Sequence, residues 1–138
     1  MGWSQVERIV TMYLGVIHLG FGLSVLVGGA IRFPPPTYAP LLDLTGGYVW
    51  PYGVLYLSSG ILLTQPGGYW VRMSGAILGI AANSAFAALF LVAVLTYEDA
   101  GATAWWAYFS FASQSAVVAA LMWTHRTRRA RRHDDAGG

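Results

Sequence analysis

Long stretches of the chain carry no Asp, Glu, Lys or Arg: residues 9–31, 46–64, 73–96 and 102–123. Within them apolar residues run round the whole helical circumference, so the polar stripe that a soluble amphipathic bundle needs is missing. A hydrocarbon core of ~30 Å takes about 20 apolar residues at 1.5 Å rise each. The first, third and fourth stretches reach that length. The second contains Pro51, which lacks an N–H and fits best in a first helical turn. A helix opening near Trp50 would be only about 22 Å long. The pattern predicts an all-α, integral membrane four-helix bundle over residues 1–124.

The connections are short. Pro34, Pro35, Pro36 and Pro40 predict a stiff, mostly extended cap over 32–45. Pro66, Gly67 and Gly68 mark a tight turn, and 97–101 is a tight acidic one. Residues 125–138 form a basic tail whose last residues are expected to be disordered. With the termini on one side, that side holds Arg8, Arg72, Arg126, Arg128, Arg129, Arg131 and Arg132, and the other holds Arg32. The bias predicts both termini in the cytoplasm, with the tail arginines fixing topology and meeting anionic lipid. The first apolar run is longer than a signal-peptide core, and Arg8 is offset by Glu7, so an uncleaved anchor is expected.

Composition agrees with that class. Of 138 residues 56% are hydrophobic and 10% charged, against about 25% charged in soluble domains. This argues against a soluble enzyme, a nucleic-acid-binding module and a disordered chain. Cys is absent, which removes thiol chemistry and thiolate metal sites. The carboxylates all fall outside the four stretches, and no HExxH, GxSxG, P-loop or dinucleotide fingerprint occurs. No enzymatic activity, cofactor or metal is expected. Trp50, Trp70, Trp105, Trp106 and Trp123, with Tyr48, Tyr69 and Tyr108, read as interfacial anchors.

The faces of the stretches carry two further patterns. Thr11, Gly15, His18, Gly22 and Gly29 share one stripe of the first, and Gly75, Gly79, Asn83 and Ala87 repeat every four residues in the third. Ala112, Ala116 and Ala120 do so in the fourth. Such stripes let helices approach closely, so Gly15, Gly22, Gly75 and Gly79 are expected at helix seams, within one bundle or between copies. The second pattern is one of depth. His18, Asn83 and Gln114 each lie about 14 Å from the cytoplasmic end of their stretch. In the second stretch that level falls near Leu57 and Ser58, with Tyr56 and Ser59 adjacent. Exposing a polar group to lipid costs several kcal/mol. His18, Asn83, Gln114 and Ser58 or Ser59 are therefore expected to face inward as one polar layer, serving as interhelical glue or as a hydrated or proton-linked site.

The runs Ile31-Arg32-Phe33-Pro34-Pro35-Pro36-Thr37-Tyr38-Ala39-Pro40-Leu41 and Gly47-Tyr48-Val49-Trp50-Pro51-Tyr52-Gly53 resemble those of small four-span membrane proteins of actinobacterial phages, several of them holin-like and encoded near endolysins. The resemblance implies a multi-pass protein of the bacterial cytoplasmic membrane that permeabilises it, or times lysis, by oligomerising. The alternative within the same setting is a non-lytic protein, such as a superinfection-exclusion factor with a partner at the Pro-rich outer loop. In layout, the Gly-Gly turn followed by Arg72 is also similar to the DoxX-like family, implying a membrane redox subunit. That family's acidic residue near the second helix has only Asp43 as a counterpart, ahead of the helix.

Overall fold

The computed structural model describes residues 3–29, 38–98 and 103–136. The described residues form an all-α protein of five helices and their connections: α1 (Trp3–Gly28), α2 (Ala39–Thr45), α3 (Trp50–Thr64), α4 (Tyr69–Thr96) and α5 (Thr103–Ala136). Two of them hold segments long and apolar enough to cross a membrane, Gln5–Gly28 and Tyr69–Thr96, and only 33% of each apolar window is buried within the protein.

Local chemistry sets the boundaries. Gly29, with φ 54°, follows α1 in the left-handed region, which Gly enters without the Cβ penalty. The expected extended cap contains a helix instead. Pro40 sits in the first turn of α2, where its missing N–H is harmless. The prolines 34–36 and Arg32 lie outside the described residues. α2 ends in a paired cap: Gly47 N–H donates to Leu42 O at 2.7 Å and Gly46 N–H to Asp43 O at 3.4 Å, satisfying carbonyls the helix leaves open. Pro51 lies in the first turn of α3, which is 15 residues long, or about 22 Å. The second stretch is thus shorter than 46–64. At the other extreme, α5 is 34 residues long and runs through residue 125 without a break, so the basic tail as far as Ala136 is a helical extension; the last two residues lie outside the described ones.

The long helices pack in the ring order α1, α3, α4, α5, with α1 against α5 the sparsest of the neighbouring contacts. Glu7 pins one end. It accepts from His125 Nδ1 at 2.7 Å and from Arg72 Nη2 at 3.5 Å, joining the N-terminal ends of α1 and α4 to the C-terminal half of α5. At the opposite end α2 lies across α4. It buries Leu41 in one cluster with Val49, Phe86 and Phe90.

Two apolar clusters make the core. Near the charged end are Leu14, Leu63, Met73, Ala76, Val118 and Met122. Toward α2 the cluster is aromatic: Phe86 and Phe90 each stack on Tyr108 with centroids 4.9 Å apart. Tyr108 is therefore a core residue and not an interfacial anchor. Trp50, Trp70, Trp106 and Trp123 are exposed; the side chain of Trp105 lies outside the described residues.

Candidate functional site: a buried polar layer

Between the two clusters sits a closed polar network. His18 on α1, Tyr56 and Ser59 on α3 and Asn83 on α4 are each at most 2% exposed. Ser59 Oγ–H donates to Gly75 O at 2.8 Å, and a carbonyl can only accept. Ser59 Oγ therefore accepts from His18 Nδ1–H, 2.8 Å away. This fixes the neutral tautomer and leaves the lone pair of Nε2 toward Asn83 Nδ2 at 3.5 Å. The same logic orients the amide. Asn83 Nδ2 donates to Gly79 O at 2.8 Å, so Oδ1 is the atom that accepts from Tyr56 Oη at 2.6 Å.

Small residues make room for the layer. Gly79 lies under the imidazole: a Cβ there would come within 2.5 Å of His18 Cε1. Gly15, Gly22 and Gly75 also lie at seams inside the protein, whereas Gly29, past the end of α1, has nothing within 4 Å of its Cβ position. A Cβ on Gly15 would meet Thr64 Cγ2 at 2.6 Å, one on Gly22 the α3 backbone at Leu57 N at 2.7 Å, and one on Gly75 Leu62 Cβ at 2.9 Å. Gly53 and Gly60 answer from α3, with Leu26 and Leu19 of α1 within 2.7 Å of the equivalent positions.

Two of the expected layer residues lie elsewhere. Gln114 is exposed on the outer side of α5, where it lines a groove of about 380 Å³ between α1 and α5 with Tyr13, Ser110, Ser113 and Val117. The inward face of α5 is Tyr108, Ala112, Ser115, Val118 and Met122, with spacings of four and three that leave Gln114 about 100° off it. The inward polar residue is Ser115. Its hydroxyl donates to Phe111 O at 3.0 Å and lies 3.2 Å from where a Gly79 Cβ would stand, too close for a glutamine. On α5 the alanine stripe does not hold as a seam either: Ala112 is buried, while Ala116 and Ala120 are exposed. On α3, Ser59 is fully buried and Ser58 only half-buried. A readable signal existed, since Gly53 and Gly60 put Tyr56, Ser59 and Leu63 on the same face.

Of the tail arginines, Arg126 lies over the rings of Tyr69 and Trp70, at 4.5 and 4.6 Å from their centroids. Arg128 and Arg131 are exposed on α5, and the side chains of Arg129 and Arg132 lie outside the described residues. No family model, curated protein or solved structure matches the chain.

Chemically, the layer is a set of donors and acceptors matched within the protein, with no hydroxyl, amide or ring nitrogen of the four residues lacking a partner. Such a set fixes helix register, because sliding any helix by a residue leaves several buried groups unmatched.

Proposed function

We propose that the protein is a four-span protein of the cytoplasmic membrane, both termini in the cytoplasm, that acts by self-association to permeabilise the membrane in a holin-like way. The observation that carries this reading is the position of Gln114. It lies outward, near mid-depth, in the groove at the loosest seam of the ring. A primary amide facing hydrocarbon costs several kcal/mol, and the cost disappears if a second copy brings its own amide. Glutamine carries both donors and an acceptor, so two copies related by a two-fold axis satisfy each other through the same residue.

The membrane assignment is supported by the inside-out distribution of polarity. The interior holds His18, Asn83 and Ser59, while Tyr13, Val16, Leu23, Val27 and Leu95 face outward. A helix at the core of a soluble protein would be mostly buried; α1 and α4 are not. The arginine bias supports the orientation. The short α3 suggests how association becomes leakage. A span of about 22 Å in a hydrocarbon core of ~30 Å thins the bilayer around it, and clustering concentrates that thinning.

Inducing the protein in a bacterial host, with membrane potential, culture density and crosslinked species followed together, tests the reading. The expected course is continued growth, then abrupt depolarisation as oligomers accumulate. Gln114→Leu should cut the oligomer yield and delay or abolish depolarisation. Oligomers undiminished in Gln114→Leu, or depolarisation that tracks expression of a monomer, would overturn it.

A further inference from the structure

The charged end holds a second candidate site, distinct from the polar layer and independent of self-association. We propose that the pocket between the N-terminal ends of α1 and α4 and the basic extension of α5 binds a phosphate group. The pocket encloses about 400 Å³ and is lined by Glu7, Arg8, Tyr69, Arg72, His125 and Arg126 among others. Its charge is unbalanced. Three guanidinium groups face one carboxylate, and Glu7 is already engaged by Arg72 and His125.

Two donors carried by lining residues remain unmatched. Arg72 Nε and Tyr69 Oη are buried and have no hydrogen-bond partner, a state that is rare for buried polar atoms. Arg126 is held with its guanidinium carbon over the rings of Tyr69 and Trp70, contacts that use none of its N–H groups as hydrogen-bond donors to oxygen. No hydrogen bond or ion pair to the side chain of Arg8 or Arg126 is present among the described residues. An anion with several acceptor oxygens is the chemistry that fits fixed, forked donors around a positive excess. A carboxylate already occupies one flank, so the ligand must bring more oxygens than one carboxylate offers, as a phosphate does.

A phosphate can come from a lipid headgroup or from solution. The lipid source fits the surroundings: Trp70 and Trp123 flank this end and are exposed, the usual arrangement at headgroup depth.

The test uses the purified full-length chain. Thermal unfolding is followed in nanodiscs of phosphatidylcholine alone, in nanodiscs with graded phosphatidylglycerol, and in detergent with graded inorganic phosphate. The expected result is saturable stabilisation by phosphatidylglycerol, with the midpoint moved about tenfold by Arg126→Gln and several-fold by Tyr69→Phe. Tyr69→Phe removes one hydroxyl and leaves the Glu7 ion pairs in place, so it stays informative if a charge substitution disturbs folding. Arg128→Gln and Arg131→Gln, on the exposed part of the extension, should leave the midpoint where it is. Stabilisation by inorganic phosphate, lost in the same two variants, with no added effect of lipid would assign the site to a soluble phosphate. Unsaturable stabilisation, or equal weakening by Arg128→Gln and Arg126→Gln, would reduce the effect to diffuse attraction between a basic helix and an anionic surface and overturn the proposal.

Discussion

The two sides of α1 are built in opposite ways. Toward α3 it presents Gly15 and Gly22, which meet Gly53 and Gly60 so closely that backbone touches backbone. Toward α5 it presents Val10, Tyr13 and Leu14 across an open groove. Both sides are apolar in sequence, and hydrophobicity does not distinguish them. Side-chain volume does. In a lipid environment apolar burial gives little drive for helices to associate, so close packing and hydrogen bonds decide which faces meet. The α1–α3 seam has both: small residues over two turns, and the His18–Ser59 hydrogen bond at its centre. The α1–α5 seam has neither at mid-depth and is held at its end by Glu7 and His125. One side of the helix fixes the fold, and the other is the face that the proposed self-association would use.

The sharpest way to break this contrast is to put a bulky side chain into the closed seam. Gly22→Leu would drive carbon atoms against Leu57 N and Gly53 O, which belong to the α3 backbone and cannot rotate away. Overpacking costs about 1–3 kcal/mol where side chains can yield; with backbone as the obstacle the expected loss is above that range, enough to separate α1 from α3. Gly20→Leu, two residues along on a side with nothing within 4 Å of the Cβ position, should change stability by less than about 0.5 kcal/mol. Unfolding in mixed detergent reads both. Similar losses for the two variants would mean that glycine content, rather than the seam, matters.

A smaller effect is expected from the layer that the closed seam encloses. Asn83→Ala removes the acceptor for Tyr56 Oη and the donor facing Gly79 O and His18 Nε2. Hydrogen bonds between membrane helices contribute about 0.6–2 kcal/mol each, and the buried partners are left unmatched, so the expected destabilisation is about 2 kcal/mol. The same unfolding measurement checks it. A loss under about 0.5 kcal/mol would show that water or rearrangement satisfies the layer.

Much of the fold was legible in the sequence, for reasons these seams make plain. Uncharged runs and proline positions mark helices because lipid and backbone geometry are unforgiving, and the glycine stripes of α1 and α4 mark seams because a missing side chain is a local fact. The α5 face was not legible. Depth along a helix follows from counting residues, but facing depends on which neighbour is opposite. Across from His18 and Gly79 there is space for a serine and none for a glutamine. The cost of polar groups in lipid favours turning them inward, but it does not create space on the facing helix. The pocket at the charged end was illegible for a similar reason. Tyr69, Arg72 and Arg126 are ordinary interfacial residues until the helical extension of α5 brings Arg126 over the two rings that open α4.

The finest distinction lies on α3, where adjacent serines meet different surroundings. Ser59 accepts from His18 Nδ1 and donates to Gly75 O, so it links α1 and α4 through α3. Removing it strands the His18 ring N–H between the two apolar clusters and takes the second hydrogen bond from Gly75 O. Ser58 is half-buried, about 100° round the helix, and no hydrogen bond to its hydroxyl is present among the described residues. Ser59→Ala should cost about 1 kcal/mol and move the imidazole, visible as a shift of the His18 ring resonances. Ser58→Ala should leave both the unfolding curve and those resonances unchanged. If the two alanines behaved alike, the layer would not depend on α3, and the hydrogen bonds at the centre of the closed seam would be secondary to its glycines. If Ser59→Ala alone acts, the seam is set by fit and polarity together, and register along α1 and α3 is fixed by a single hydroxyl.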